Sequence, residues 1–120
     1  MEVVAHIGPT NSGKTYHALE YLSKKGAGVY AAPLRMLAQE AYWKLSERHG
    51  EENVSLITGE EKINEGAPII CCTTEMAPKS GDLLLLDEVQ WACDLERGYA
   101  WTSLMLNQGY NHMRLMASAN

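Results

Sequence analysis

Four consecutive leucines, Leu83 to Leu86, run directly into an acidic pair, Asp87 and Glu88. A half-buried strand alternates apolar and polar residues, because successive side chains point to opposite faces. A run that is apolar at every position instead fits a strand covered on both faces, in the centre of a parallel sheet. Strands of that kind end at a ligand crevice, since open α/β sheets bind ligands beyond their carboxyl ends. The acidic pair therefore stands where a site is expected.

The rest of the chain agrees with an α/β class, short aliphatic strands alternating with longer stretches of helical period. Val3 to Ile7, Val29 to Ala32, Val54 to Ile57, Ile69 to Cys72 and Met113 to Ala117 read as further strands. Lys14 to Lys24 reads as a helix that Gly26 and Gly28 bring to an end. Leu34, Leu37, Ala38, Ala41 and Leu45 recur at helical spacing and predict an amphipathic helix from Leu34 to Arg48. Asp94 is a suitable N-cap for a third helix, Leu95 to about Asn107. The polar segment Thr58 to Gly66 reads as a surface excursion.

With 120 residues the chain has room for one domain, 1–120, and not for two. Fifteen acidic against ten basic side chains leave a formal charge of -5, so no overall basic field draws in a nucleic acid or a membrane. A polyanionic partner has to be gripped locally. No run approaches the ~20 apolar residues of a membrane span, and the start, Met1-Glu2-Val3-Val4, lacks the basic region of a signal peptide. A cytoplasmic location, or the mitochondrial matrix in a eukaryote, is the expectation, with no membrane partner. Cys71, Cys72 and Cys93 form neither an even disulfide set nor a CxxC pair, and adjacent cysteines on a strand face opposite ways. They are expected to be reduced core thiols rather than zinc ligands.

Gly8-Pro9-Thr10-Asn11-Ser12-Gly13-Lys14-Thr15 matches G-x-x-x-x-G-K-[ST] between a predicted strand and a predicted helix, the context that gives the pattern meaning. Backbone N–H groups of such a loop, at a helix N-terminus, form a nest that matches a polyphosphate. Gly13 gives the backbone room, Lys14 reaches the β- and γ-phosphates, and the Thr15 hydroxyl is placed to ligate Mg2+. Asp87 supplies the second acidic element of a Mg-nucleotide site. Glu88 is the candidate to orient and deprotonate an attacking water, and it separates a hydrolase from a simple phosphate binder.

Asp87-Glu88-Val89-Gln90 resembles motif II of superfamily 2 helicases, and other fragments match that superfamily's first-domain motifs in order. Pro33-Leu34-Arg35-Met36-Leu37-Ala38 resembles motif Ia, Thr58-Gly59-Glu60 motif Ib, and Thr73-Thr74-Glu75 the Thr-x-Glu that follows it. Ser118-Ala119-Asn120 resembles motif III, with Asn120 where Thr is usual. The stretches 8–19, 58–61, 72–76 and 87–102 are similar, more narrowly, to the mitochondrial and bacterial "suppressor of var" group of DExH-type RNA and DNA helicases.

The resemblance implies a P-loop NTPase of RecA-like fold, its mainly parallel sheet flanked by helices on both faces. It implies ATP and Mg2+ as cofactors, with Gln90 and the motif III residues Ser118 and Ala119 linking nucleotide state to strand movement. Pro33, Arg35, Thr58, Gly59, Thr73 and Thr74 would contact the backbone of single-stranded RNA or DNA. A second RecA-like domain, absent from these residues, would supply the remaining parts, so slow hydrolysis at best is expected of this domain alone. Two rivals stay in view. A thymidine-kinase-like nucleoside kinase also joins such a loop to an Asp-Glu-x-Gln element, but normally adds a zinc-binding cysteine set. A noncatalytic nucleotide-dependent switch would not need Glu88.

Trp91, Tyr99, Trp101 and Tyr110 fit core packing better than base stacking, and His6, His17, His49 and His112 show no ligand spacing. Glu60, Glu61 and Glu65 read as a solvated acidic face. Arg97 is compatible with either an internal ion pair or a contact to the partner domain.

Overall fold

A computed structural model describes residues 2–8, 14–87 and 109–118. Its strands are β1 (Glu2–Gly8), β2 (Gly28–Ala32), β3 (Val54–Ile57), β4 (Lys62–Ile63), β5 (Ile69–Thr73), β6 (Gly81–Leu86) and β7 (Tyr110–Ser118), and its helices are α1 (Lys14–Lys25) and α2 (Arg35–His49). The strands form one sheet in the order β1-β7-β6-β2-β5-β3-β4. Every pairing is parallel except β3 with β4. The expected mainly parallel sheet flanked by helices is therefore present.

The leucine run explains the centre of that sheet. Leu83 and Leu85 join the apolar cluster beneath α1 and α2, while Leu84 and Leu86 join the cluster on the opposite face with Val29, Ala31 and Met113. All four leucines are buried, as a strand covered on both sides requires. Cys71 and Cys72 divide in the same way, one thiol into each cluster. Burial pushes the Cys72 thiol up to about 12 and the Cys71 thiol higher still. Both are reduced, inert core groups, and Cys93 lies outside the described residues.

The two described helices share one face, packing Ala18, Leu19 and Leu22 of α1 and Ala38, Ala41, Tyr42 and Leu45 of α2 over Tyr30, Ala32, Leu56 and Leu83. The helix expected from Leu95 to Asn107 lies outside the described residues. Each described helix stops at a glycine. Gly26 (φ 77) donates its N–H to the Leu22 carbonyl at 3.0 Å, and Gly50 (φ 87) to the Ser46 carbonyl at 2.9 Å, satisfying end carbonyls in a left-handed conformation that favours glycine.

Several elements differ from expectation at their ends. Leu34 precedes α2 rather than starting it, extended at φ -115 and ψ 137, as the residue after Pro33. Strand β6 begins earlier than expected, at the exposed Gly81 and Asp82, because ladder bonds continue past its last buried apolar residue, and β7 begins earlier at the buried Tyr110, opposite Gly81. There the Lys25 ammonium pairs with Asp82 at 2.9 Å and Asn111 donates to the same carboxylate at 3.1 Å, so Asp82 is held below the usual carboxylate range. The 58–66 excursion is largely exposed as expected, but it also folds back to add β4, with Leu56 opposite Ile63.

Candidate functional site

The expected site residues whose position is described gather at the carboxyl ends of the parallel strands. Strand β1 ends at Gly8, opposite Ser118 at the end of β7, and β7 then pairs with β6 as far as Leu86 and Leu115. One strand thus separates the start of the phosphate-loop sequence from Asp87. Residues 9–13 lie outside the described set; Lys14 and Thr15 form the first turn of α1, where N–H groups are unpaired and the helix dipole favours an anion. Glu88, Gln90 and Ala119 are also outside the described residues.

Asp87 follows the last leucine and is only 3% exposed. Its N–H donates to the Ala31 carbonyl on β2 at 2.9 Å. Its carboxylate Oδ2 accepts the phenolic hydrogen of Tyr30 at 2.5 Å. Sequence reasoning missed Tyr30. The available signal was a phenol inside the buried run Val29 to Ala32, because a buried hydroxyl needs a hydrogen-bond partner.

Farther along the same edge, the turns after β2, β3 and β5 enclose a cleft of about 420 Å³. Its lining comes from Pro33, Leu34, Arg35 and Met36 after β2, Thr58, Gly59 and Glu60 after β3, and Thr73 and Glu75 at the end of β5. Five of the six residues expected to contact a nucleic-acid backbone are therefore brought together. Thr74, the sixth, is buried in the turn that follows β5 and is not part of the lining.

The cleft hydroxyls are in different states. Thr58 Oγ1 accepts the N–H groups of Glu60 at 3.2 Å and Glu61 at 3.0 Å, which leaves its own hydrogen to donate. Thr73 Oγ1 is buried with no partner among the described residues. Such a group costs stability unless a ligand completes it. Arg35 pairs with Glu60, and the Gln39 amide donates to Glu61 at 2.6 Å. Glu60 and Glu61 thus tie the 58–61 turn to α2 instead of forming the merely solvated face expected of them. Tyr110 is a core residue, as expected, its hydroxyl donating to the Pro78 carbonyl at 2.5 Å.

Residues 1–120 match the model of the DEXQ-box helicase domain of Suv3. The chain belongs to the Suv3 helicase-domain family. Similar members include the mitochondrial ATP-dependent RNA helicase SUV3 of Saccharomyces paradoxus, 45% identical over 87% of this chain, and its homolog in Drosophila melanogaster, 46% identical over 88%. The mitochondrial DExH-box ATP-dependent RNA helicase DExH16 of Arabidopsis thaliana is 41% identical over 95%. The chain spans 15% of the yeast protein, 14% of the fly protein and 20% of the plant protein. A crystal structure of a hypothetical ATP-dependent RNA helicase from Sulfolobus tokodaii superposes over 98% of the chain and 41% of its own, with a TM-score of 0.79 at 15% identity, which speaks to the shared fold. The family assignment agrees with the motif order read from the sequence.

Proposed function

We propose that this chain is the ATP-binding motor domain of an ATP-dependent helicase that acts on single-stranded RNA or DNA. The observation that carries the reading is the arrangement along one sheet edge: Gly8, Ser118 and Asp87 on adjacent strands, and the Pro33-Thr58-Thr73 cleft on the strands that follow. One half suits a nucleotide and the other a sugar-phosphate backbone. The chain's similarity to mitochondrial RNA helicases favours RNA as the strand and the mitochondrion as a compartment for the eukaryotic members.

The residues fit Mg-ATP. Thr15 and Asp87 offer hard oxygen donors, and Asp87 is a buried carboxylate fixed at its strand end, the chemistry Mg2+ prefers. When bound, the cation neutralises charge on the β- and γ-phosphate oxygens. Residues 8–13 would present backbone N–H groups to the phosphates, and Lys14 would add a mobile positive charge. Glu88 would align a water and take its proton. Gln90, Ser118 and Ala119 would report nucleotide state to the neighbouring cleft. There, Thr58 and Thr73 can donate to phosphate oxygens without a basic surface, consistent with a net charge of -5. A second RecA-like domain in a parent chain would complete the motor.

Steady-state ATPase with and without single-stranded RNA and DNA, on this chain and on a longer parent, tests the proposal. Glu88→Gln should keep nucleotide binding and lose turnover, and Lys14→Ala should remove most Mg-ATP binding. Nucleotide binding without turnover in both the parent and the Glu88→Gln protein, with either strand present and in the longer chain, would favour the switch reading, and phosphorylation of thymidine would favour the kinase.

A further inference from the structure

Strand β2 lies directly beside β6, with Tyr30 opposite Leu85 and Ala31 opposite Leu86. Ala32 is therefore level with Asp87. Side chains two residues apart share a face of a strand, so Tyr30 and Ala32 face the same way as Leu85 and Asp87. Ala32 is fully buried and carries only a methyl group, which leaves room for the phenol to run along the sheet toward Asp87. The hydroxyl donates to Oδ2, both residues being almost wholly buried.

A buried carboxylate is costly unless it is hydrogen-bonded, and a donor fixed in the core also restricts which way the carboxylate turns. Asp87 is the last described residue of this segment, and its backbone N–H is held by the Ala31 carbonyl of β2. Tyr30 is thus anchored in the core and reaches the group whose orientation matters. We infer that Tyr30 is a positioning residue for the site, its hydroxyl setting the rotamer in which the Asp87 carboxylate meets the nucleotide-bound divalent cation. The inference rests on the proposed role of Asp87. Hydrogen-bond partners of metal-binding groups characteristically tune affinity in this way.

The test titrates Mn2+ into ADP-loaded protein, reading bound metal by electron paramagnetic resonance, with ADP affinity in EDTA and thermal unfolding measured alongside. Tyr30→Phe should bind Mn2+ about tenfold to a hundredfold more weakly, while keeping metal-free ADP affinity and a cooperative transition. In an Asp87→Asn background the same change should have no further effect. Mn2+ affinity within twofold of the parent for Tyr30→Phe, when Asp87→Asn alone weakens it, overturns this inference and spares the role of Asp87. Unaltered affinity in Asp87→Asn overturns the role of Asp87 itself. Fluorotyrosine at position 30 keeps ring and hydroxyl, so it also covers a Tyr30→Phe chain that fails to fold. Its fluorine resonance should move when Mg2+ joins ADP and stay still in Asp87→Asn; no movement in the parent overturns the inference.

Discussion

Arg35 and Glu60 form an ion pair on the wall of the cleft, joining the start of α2 to the turn after β3. The guanidinium expected to meet phosphate is engaged by a carboxylate when no strand is bound. Both side chains are substantially exposed, 48% and 74%, so the pair is worth at most ~1 kcal/mol.

A competitor of that strength sets the size of its release. Glu60→Gln should tighten binding of single-stranded RNA by up to about fivefold at low salt. Arg35→Ala should weaken it and flatten the log-log salt dependence by about 0.7. Fluorescence anisotropy across a salt series reads both. An Arg35→Ala protein with an undiminished slope would remove Arg35 from the phosphate-contacting set.

Thr73 should show opposite effects on folding and binding. Its buried hydroxyl lacks a partner among the described residues, so the similarly shaped Thr73→Val removes a desolvated polar group, and stability should stay level or rise by up to ~1 kcal/mol. Affinity for the strand should fall. Urea unfolding and anisotropy on the same variant decide the matter, and a clear loss of stability would mean that the hydroxyl is already satisfied.

Gly28 is a purely structural position. At φ +146 it occupies a conformation that L side chains avoid, and an added Cβ would lie 2.8 Å from Leu22 Cδ1 and 3.3 Å from Leu83 Cβ. Gly28→Ala should cost about 1–3 kcal/mol by denaturant titration. The folded fraction should bind Mg-ATP normally.

The buried thiols give a pH dependence at the alkaline end. Their folded pKa values are raised, so their contribution is complete below the unfolded cysteine value of ~8.5 and is lost as pH rises above it. For Cys72 the loss continues until about 12. Two such groups imply a fall of at most roughly 3 kcal/mol per pH unit in that range. Urea unfolding between pH 8 and 10 should show the slope, and Cys72→Ala should remove about half of it.

Legibility of the fold followed burial. The expected Val54–Ile57 coincides with the observed strand because apolar residues mark both of its ends, whereas Gly81 and Asp82 pair in β6 yet are exposed, leaving no periodic trace. The two-residue β4, Lys62 and Ile63, is exposed at both positions and equally silent. The cleft residues were legible as motif fragments. The contacts that give them their state were not. Tyr30 and Asp87 are 57 residues apart and Arg35 and Glu60 25, and each meeting depends on the lateral order of strands, which side-chain periodicity does not encode.

The placement of β2 has one more consequence. This five-residue strand carries Tyr30, which touches Asp87, and continues directly into Pro33 and Arg35 in the neighbouring cleft. At ~3.3 Å per residue, the two contact points are at most ~17 Å apart along a single backbone. The covalent chain thus caps the separation of the two halves of the edge. Core substitutions that soften the domain should weaken the grip on each proposed ligand without stretching the interval between the two grips past that cap.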